Sequence, residues 1–338
     1  MPTVARPSWK RKTCGASRTR SRVAVVVLGG TGLVGRHLVD ALAAAGEQVV
    51  ATFHRRPAGD AAMADWRPCD LRQPGAMTSL LEKASCAVLC AGVLATSSML
   101  RIDPVTPVVD TLRIATNVLE AAAAVRLPRL VLVSSCTVYP SMADRPASEP
   151  DMMVGDPPDQ WFGVGWMHRY VEQQLRWYVE RLGRIGSAVA LRPTLVYGRY
   201  GDFSGTTGHF VPTLVAKVVE RERPIEVWGD GEQTRNLLHG SDLARALLAA
   251  RAATLPAYAA FNVTSPRDVS VNAVLRELLD LDGFADADIR HDLSKSTGPA
   301  SLRVSGAAFR EATGWESAMS LRDGLADAIA WYRTTRKA

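Results

Sequence analysis

The segment from residue 23 to residue 35, VAVVVLGGTGLVG, constrains the fold of this chain more than any other. Its run of valines ends in Leu28 and predicts a buried strand, and the glycines that follow predict a tight turn into a helix. Because glycine has no Cβ, the backbone of such a turn can approach a pyrophosphate, while the helix N-terminus offers N–H groups and partial positive charge. The pattern therefore predicts a dinucleotide-binding site, the alternative being a glycine-rich connector of another α/β protein. The candidate cofactor-binding residues of the turn are Gly29, Thr31, Gly32, Leu33, Val34 and Gly35.

Composition limits the class of protein. With 338 residues, of which 47% are hydrophobic, the chain can bury a large core in one or two domains. Its five cysteines are odd in number and lack the spacing of a metal site, so we expect free thiols, no bound metal and a cytoplasmic location. No apolar run approaches the ~20 residues of a membrane span, and the N-terminus has no signal-peptide core. We therefore expect a globular protein without a membrane partner.

The positive net charge of +6 is concentrated at the N-terminus. Residues 1–22 contain seven basic residues and no acid, so the rest of the chain has a net charge of −1. A basic tail can bind polyanions, but a disordered extension is the commoner case. We therefore predict a disordered basic tail over residues 1–22 and no nucleic-acid partner for the folded body.

The end of the second predicted strand, QVVATF, indicates which dinucleotide is bound. A dinucleotide fold normally places an acid here against the adenosine ribose, and this chain has Phe53 followed by His54, Arg55 and Arg56. No carboxylate repels a 2′-phosphate, and two guanidiniums are available to bind one. The sequence thus favours NADP(H) over NAD(H), the alternative being a solvated basic turn.

The rest of the first 198 residues alternates between strands and helices without internal repeats. Strands are predicted near residues 87–92, 127–135 and 187–198, and helices over 108–124 and 164–182. The strand over 87–92 ends in Cys90, Ala91 and Gly92, beside the expected path of a nicotinamide. We predict an α/β fold with a Rossmann-type doubly wound parallel sheet and ligands at the carboxyl ends of its strands.

After residue 198 the alternation fades. Short helices are predicted near residues 209–220, 241–252 and 320–334, with a strand over 225–229. We interpret these pieces as a smaller C-terminal lobe that covers the substrate. The predicted organisation is a tail over 1–22, an NAD(P)-binding domain over 23–198, and a mostly substrate-binding lobe over 199–338 interleaved with that domain.

Several motifs, in one order along the chain, resemble those of the extended short-chain dehydrogenases/reductases, in the nucleotide-sugar epimerase/dehydratase group. They are the three glycines from Gly29 to Gly35, DLR at 70–72, CAG at 90–92, SSCTVY at 134–139, LRP at 191–193, YG at 197–198 and WGDGEQTR at 228–235. Within that group the chain is most similar to the GDP-fucose synthases, through SSC with YP at 134–140 and through His209 with Pro212. The resemblance implies a nucleotide-diphosphate sugar as substrate, and Asp70 and Leu71 among the cofactor contacts.

The resemblance also implies catalytic residues. The family serine that lies four residues before a tyrosine falls on Ser135, whose hydroxyl would bind the C4 oxygen of the sugar. In the GDP-fucose synthases a cysteine base and a histidine acid invert carbons beside a ketone. The acid falls on His209, and the base falls on Cys136 or, if the alignment is anchored on Tyr139, on Thr137. The implied substrate-binding residues are Arg192, Phe210, Trp228 and Arg235, the last of which would hold the diphosphate.

The chain departs from the family at the Tyr-x-x-x-Lys pair that opens the helix after the active-site loop. Counting from Glu172 and Tyr178, the pair falls on Val164 and His168. Valine cannot move a proton, whereas His168 can still bind a nicotinamide ribose hydroxyl and can serve as a catalytic imidazole. The asparagine usual in the preceding helix is replaced by Thr111. The resemblance therefore predicts the fold but leaves the proton donor open.

Three functions follow from these residues. The first is an NAD(P)-dependent epimerase/reductase of a 4-keto nucleotide sugar with a rearranged proton relay, which we favour because Arg235 and the His209 region match the family. The second is a keto-sugar epimerase without net hydride transfer. The third is a non-catalytic protein that binds NADP or a nucleotide sugar. The predicted helices over 108–124 and 164–182 match the pair that forms the family's dimer interface, so we also expect a homodimer.

Overall fold

A computed structural model of the protein describes residues 24–56, 60, 62–142, 144–204, 208–295 and 302–336. The predicted basic tail over 1–22 lies outside the described residues. The elements up to residue 193 are β1 (Ala24–Leu28), α1 (Leu33–Ala44), β2 (Val49–Phe53), β3 (Asp65–Pro68), α2 (Thr78–Leu81), β4 (Ala84–Leu89), α3 (Ser97–Ile102), α4 (Thr106–Ala124), β5 (Arg129–Val133), α5 (Phe162–Arg176) and β6 (Ser187–Pro193). A π-helical turn, Trp177–Arg181, continues α5.

The elements after residue 193 are shorter. They are β7 (Leu195–Tyr197), α6 (Phe210–Val219), β8 (Ile225–Trp228), β9 (Thr234–His239), α7 (Gly240–Ala252), β10 (Tyr258–Val263), β11 (Asp268–Ser270), α8 (Val271–Asp282), β12 (Ile289–Asp292), α9 (Ala307–Thr313) and α10 (Leu321–Thr335).

Within the described residues, seven strands form the large sheet in the order β3-β2-β1-β4-β5-β6-β10, and every neighbouring pair is parallel. Side chains alternate along β1: Val26 and Leu28 pack against α4 and α5, whereas Val25 and Val27 pack against α1 and α7. Both faces of the sheet are therefore covered by helices, which explains why β1 is apolar throughout. The predicted α/β fold with a Rossmann-type doubly wound parallel sheet is confirmed.

The smaller lobe has its own core. Helices α6, α8 and α10 enclose Val215, Val274, Leu278 and Ile329 together with the buried Val227 of β8. Two small sheets accompany these helices, β7-β9-β11 and the parallel pair β8-β12. The lobe follows the carboxyl ends of the large sheet along the chain, where ligands of such folds bind.

The predicted strand over 187–198 is two strands. Residues up to Pro193 belong to β6 in the large sheet, and β7 pairs with β9 in a small sheet. The change of sheet occurs at Thr194, whose N–H donates to Val263 O while its hydroxyl donates to Asn236 Oδ1. Helix α7, which we assigned to the smaller lobe, packs on α1 against the large sheet, and β10 adds an edge strand to that sheet.

None of the helices in the described ranges combines the length and the apolar character that a membrane crossing requires.

Candidate active site

Two glycines of the turn after β1 are required by close packing. Gly29 has a φ of +90°, and a Cβ there would lie 2.7 Å from the Cβ of Ala91, at the end of the neighbouring β4. A Cβ on Gly35 would overlap the carbonyl oxygen of Gly29. The turn is further fixed by Thr52, whose Oγ1 accepts a hydrogen bond of 2.9 Å from Gly29 N–H. The glycines thus allow β1, β4 and α1 to meet at one point.

Gly32 differs from the other two because it faces open space. Among the described residues, the one neighbour within 4 Å of a Cβ built there is Gly29 O, at 3.6 Å. Gly32 is also the N-cap of α1 and provides no side-chain cap, so the first turn of the helix, with Leu33 and Val34, presents its N–H groups outward. The half-buried Thr31 precedes it. This backbone cradle fits the diphosphate of a dinucleotide.

The end of β2 leads into a basic exposed segment. His54, Arg55 and Arg56 are exposed, and His54 Nε2 lies 3.7 Å from Asp70 Oδ2. Within the described residues neither Arg55 nor Arg56 forms a salt bridge. Two guanidiniums without a competing carboxylate suit the binding of a phosphate monoester.

Asp70 and Leu71 follow β3 and are held by neighbouring side chains. The carboxylate of Asp70 accepts hydrogen bonds of 2.9 and 3.0 Å from Arg72, which hold the pKa of Asp70 well below its usual range. The same guanidinium donates to Asp110 of α4 at 3.2 Å. Leu71 is buried, and its carbonyl accepts from Asn117 Nδ2 at 3.1 Å. These bonds fix the segment at the carboxyl end of β3 against helix α4.

Cys90, Ala91 and Gly92 follow β4. Cys90 N–H donates to Leu28 O at 2.9 Å, and burial raises the pKa of its thiol to about 12. Beyond Gly92 the chain is held by Thr111, whose Oγ1 accepts from Val93 N–H at 2.9 Å. A hydroxyl therefore fixes this loop at the position where the family has an asparagine.

Ser135, Cys136 and Thr137 form one half-buried turn after β5. Ser135 caps the short 3₁₀ helix Cys136–Val138. Its Oγ accepts hydrogen bonds from the N–H of Thr137 at 3.2 Å and from the hydroxyl of Thr137 at 2.9 Å. Because both bonds are accepted, the proton of Ser135 is left to donate to a substrate oxygen.

The thiol of Cys136 is protonated at neutral pH. Burial raises its pKa to about 12. A thiol in this state is a poor base, which weighs against the role that the family resemblance implies for Cys136. The alternative residue, Thr137, is engaged as a donor to Ser135.

Helix α5 packs against this turn but lacks the family's proton donor. Val164 is 4% exposed and belongs to the core between α4, α5 and the sheet. The approach of the helix is close, since a Cβ on Gly165 would lie 2.5 Å from Thr137 O. One turn further, His168 is half-buried, and burial lowers its pKa to about 4 although Glu172 acts to raise it. The imidazole is neutral at pH 7.

A buried polar network lies beneath the Ser135 turn. Glu172 accepts from the hydroxyl of Ser134 at 2.5 Å and pairs with Arg192 at 2.6 Å, and both charged side chains are almost completely buried. Arg192 also donates to the hydroxyl of Tyr139 at 2.6 Å, and that hydroxyl donates to Asn262. The network ties β5, α5, β6 and β10 together.

The network corrects one substrate contact. The resemblance implies that Arg192 binds substrate, but its guanidinium is 3% exposed and is committed to Glu172, Tyr139 and the carbonyl of Glu149. Burying this charge is tolerable only because Glu172 neutralises it, so Arg192 stabilises the frame of the site. In the sequence, Glu172 is useful only as a position from which to count along the helix. Its buried ion pair with Arg192 gives Glu172 a structural role that its spacing does not indicate.

The remaining candidates lie in the smaller lobe. His209 is half-buried at the N-cap of α6, and burial lowers its pKa to about 4 although Asp202 acts to raise it. Phe210 packs on the core of the lobe. Trp228 is half-buried at the end of β8. Arg235 is the second residue of β9, its Nη1 donates to Thr234 O at 2.7 Å, and burial lowers its pKa.

The structure thus assembles two groups of candidates. The glycine turn, the end of β2 and the end of β4 form one surface, and the turn over 135–137 with the start of α5 forms another on the same sheet. The carbonyl of His209 accepts a hydrogen bond of 3.1 Å from the hydroxyl of Thr213. The role of His209 as the acid remains a prediction.

Comparisons with known proteins agree with this geometry. The model of the family described as "NAD dependent epimerase/dehydratase family" matches residues 25–264. The dTDP-4-dehydro-6-deoxy-D-allose reductase of Streptomyces sp is 27% identical over 324 residues, which cover 93% of this chain and 97% of the relative. Putative GDP-L-fucose synthase 2 of Arabidopsis thaliana is 27% identical over 231 residues, which cover 65% and 67%. Among solved structures, UDP-glucose 4-epimerase of Thermotoga maritima has a TM-score of 0.80 at 20% identity, covering 93% of this chain and 99% of its own, and shares the fold.

Proposed function

The chain belongs to the NAD dependent epimerase/dehydratase family, and from that premise we propose that it is an NADP(H)-dependent epimerase/reductase of a 4-keto nucleotide hexose. The observation that carries the proposal is the hydroxyl of Ser135, which accepts two hydrogen bonds from Thr137 and keeps its proton for a substrate oxygen. It follows β5, two strands from the glycine turn in the same parallel sheet. Names of relatives that cite a 4-dehydro-6-deoxy sugar and GDP-L-fucose support this substrate class.

Different residues of the cofactor surface bind different parts of the cofactor. The N–H groups that follow Gly32 bind the diphosphate, and Arg55 and Arg56 bind the 2′-phosphate that distinguishes NADP(H). Cys90 to Gly92 line the path toward the reacting end. When bound, the cofactor supplies or accepts a hydride at the sugar carbon.

Proton transfer must proceed without the tyrosine of the family. Ser135 donates a hydrogen bond to the C4 oxygen and polarises the carbonyl. His168 binds a ribose hydroxyl as a neutral imidazole, which has one N–H donor and one acceptor nitrogen. We therefore propose that the proton required by reduction comes from solvent: Ser135 passes its own proton to the C4 oxygen and is reprotonated by water.

Epimerisation without hydride transfer is the second candidate function, and the loss of the tyrosine and lysine favours it. A 4-keto group acidifies the neighbouring C–H bonds, so one group on each face of the ring can exchange the proton. His209 is neutral at pH 7, because burial lowers its pKa to about 4, so in this arrangement it would accept the proton, which reverses the role that the family resemblance implies for it. Cys136, a thiol with a pKa raised to about 12, is the corresponding proton donor.

The test is turnover of a 4-keto nucleotide sugar by the full chain. Purified protein is incubated with GDP- and dTDP-linked 4-keto-6-deoxyhexoses and NADPH, while absorbance at 340 nm and the NMR spectrum of the sugar are recorded. We expect NADPH oxidation together with a new sugar, and a reduction of about 10²-fold or more in kcat for Ser135→Ala. Ser135→Thr is the matched control that keeps the hydroxyl.

The other outcomes assign the other functions. A change in the sugar spectrum with constant absorbance at 340 nm contradicts the reductase and identifies the epimerase. Binding of nucleotide sugar without conversion, in both the original protein and a Val164→Tyr, His168→Lys variant, overturns the enzyme proposal in favour of a binding protein.

We propose a homodimer through helices α4 and α5. Their outer faces expose Val109, Phe162, Trp166 and Tyr170, each at 38% or more of its surface. Apolar and aromatic side chains gathered on two adjacent helices are typical of such an interface. Light scattering should give twice the monomer mass at micromolar concentration, and Tyr170→Glu should weaken the association; a monomer mass for the original protein contradicts the proposal.

The location and the domain boundaries are also proposals. We propose the cytoplasm, because Cys69, Cys86, Cys90 and Cys136 are free thiols. We propose a cofactor-binding domain over 23–198 and a mostly substrate-binding lobe over 199–338, interleaved through α7 and β10, which pack on the large sheet.

A further inference from the structure

Arg101 joins the two lobes. It lies near the end of α3, in the segment that follows the carboxyl end of β4 and the residues Cys90 to Gly92. Its guanidinium carbon is 4.7 Å from the ring centroid of Trp228, at the end of β8 in the smaller lobe. A residue of the cofactor-binding half therefore stacks on an aromatic side chain of the substrate-binding half.

A second cation lies on the same ring. Lys295, which follows β12, has its Nζ 5.9 Å from the Trp228 centroid. Within the described residues neither Arg101 nor Lys295 forms a salt bridge, and both are exposed. Two positive charges thus lie on one aromatic side chain, Trp228, which the family resemblance implies in substrate binding.

Two acids of this region already accept hydrogen bonds. Glu226 accepts from Arg290 at 2.8 Å and from the indole N–H of Trp228 at 3.1 Å. Asp292 accepts from the hydroxyl of Ser294 at 2.6 Å. Asp292 also attracts Lys295: the hydrogen bonds from Ser294 lower the pKa of that carboxyl, and the charge of Lys295 helps to lower it. Arg101 has the Trp228 ring as its contact, an interaction that a doubly charged anion exceeds in strength.

An aromatic surface with adjacent guanidinium and ammonium groups has the chemistry that recognises a nucleoside diphosphate. The base stacks on an aromatic face, and a guanidinium donates two parallel hydrogen bonds to a phosphate. Arg235, on the strand that follows β8 through the turn at Gly229 to Gly231, adds a partly buried charge to the same half.

We propose that Arg101, which belongs to the cofactor-binding half, is a substrate-binding residue. Its guanidinium moves off the ring of Trp228 and binds the diphosphate of the nucleotide substrate. This inference rests on the proposed function, because it takes the nucleotide sugar as the ligand. The inference gives α3 a part in closing the site. Before substrate binds, the contact between Arg101 and Trp228 holds the two lobes together; after substrate binds, the phosphate replaces the Trp228 ring as the partner of Arg101.

The experiment measures binding of nucleoside diphosphates to the full chain. Dissociation constants of GDP, UDP and dTDP are determined by calorimetry for the original protein and for Arg101→Ala. We expect the tightest of the three to bind about tenfold more weakly to Arg101→Ala, with a smaller change for the corresponding nucleoside, which has no phosphate. Arg101→Lys, which keeps the charge but not the planar fork, should recover part of the loss.

Three controls separate binding from structure. Arg184→Ala removes an exposed arginine that precedes the amino end of β6, whereas Arg101 follows the carboxyl end of β4. This variant should leave the dissociation constants unchanged. The affinity for NADPH should be the same in all variants. Thermal melts of Arg101→Ala show whether the loss of the contact with Trp228 has altered the fold.

Equal diphosphate affinities in Arg101→Ala and the original protein overturn the inference. The contact between Arg101 and Trp228 would then only hold the two lobes together. Failure of the original protein to bind any nucleoside diphosphate or nucleotide sugar overturns the proposed function as well. A loss confined to one base, equal for nucleotide and nucleoside, shows that Arg101 contacts the base and contradicts the diphosphate assignment.

Discussion

The glycine turn and the start of helix α5 serve the two halves of the proposed reaction, and only the first keeps the family pattern. Packing requires Gly29 and Gly35, because a Cβ at either would meet Ala91 or the Gly29 carbonyl. Packing requires nothing polar at position 164, where Val164 fills the core of α4 and α5. Folding alone therefore requires the glycines of the cofactor site, whereas only catalysis would require the tyrosine and the lysine.

The frame beneath the catalytic turn shows that α5 is still held in place without those residues. The Glu172–Arg192 pair connects α5 to β6, and Ser134 connects it to β5. A protein that had lost all activity would not need Ser135 or His168, but it would still need this frame to fold. Variants of the frame and of the two half-sites therefore separate structure from chemistry.

The largest expected effect is on the frame. Glu172→Leu leaves the charge of Arg192 buried without its partner, and we expect the free energy of unfolding to fall by about 3–5 kcal/mol. Urea denaturation at pH 7 measures the change. The double variant Glu172→Leu, Arg192→Met removes both charges and should recover most of the loss. A loss below about 1 kcal/mol in the single variant would show that water reaches the guanidinium.

The second effect tests the glycine turn. In Gly35→Ala the new Cβ overlaps a backbone oxygen, so the turn must open, and we expect nicotinamide dinucleotide affinity to fall about 10²-fold or more, equivalent to about 2.7 kcal/mol. Gly32→Ala is the matched variant, since its Cβ meets only Gly29 O at 3.6 Å. It should unfold like the original protein yet bind the cofactor more weakly. Unchanged cofactor affinity in Gly32→Ala would place the diphosphate elsewhere.

The third effect concerns the protonation of His168. An imidazole with its ordinary pKa near 6.5 would give the reaction a pH limb near 6–7, but burial lowers the pKa of His168 to about 4. We therefore expect no limb from this residue between pH 5 and 8, and an NMR titration in which its ring signal shifts only near pH 4. A midpoint above 6 would contradict the buried geometry.

The same pKa has a defined effect on stability. Below pH 6.5 the unfolded chain protonates His168 while the folded chain does not, so the free energy of unfolding falls as the pH drops toward 4. His37 and His209, whose pKa values are also lowered by burial, add slopes of the same sign. His168→Asn should reduce the slope measured by urea denaturation, and an unchanged slope would assign it to the other two histidines.

Sequence reasoning succeeded where a pattern reflects a backbone requirement. The valine run and the glycine spacing predicted β1, its turn and the parallel sheet, because each is fixed by sterics within a short segment. It failed where contacts are distant in sequence. Arg192 was assigned to substrate because its motif cannot reveal that Glu172, twenty residues away, neutralises it. Likewise, α7 was assigned to the wrong layer because its apolar stripe does not say which surface it covers.

The smallest effect concerns the choice between NADPH and NADH. Arg55 and Arg56 are exposed, so solvent screens their attraction for a 2′-phosphate, and we expect NADPH to bind at least tenfold more tightly than NADH, about 1.4 kcal/mol. Arg55→Ala with Arg56→Ala should remove that preference by weakening NADPH alone, since NADH has no group for them to contact. Arg67→Ala on the adjacent β3, whose arginine is paired with Asp65, is the control and should change neither affinity. If titrations of the original protein give equal affinities, the basic segment is a solvated turn, and the absence of an acid after Phe53 carries no information about the cofactor.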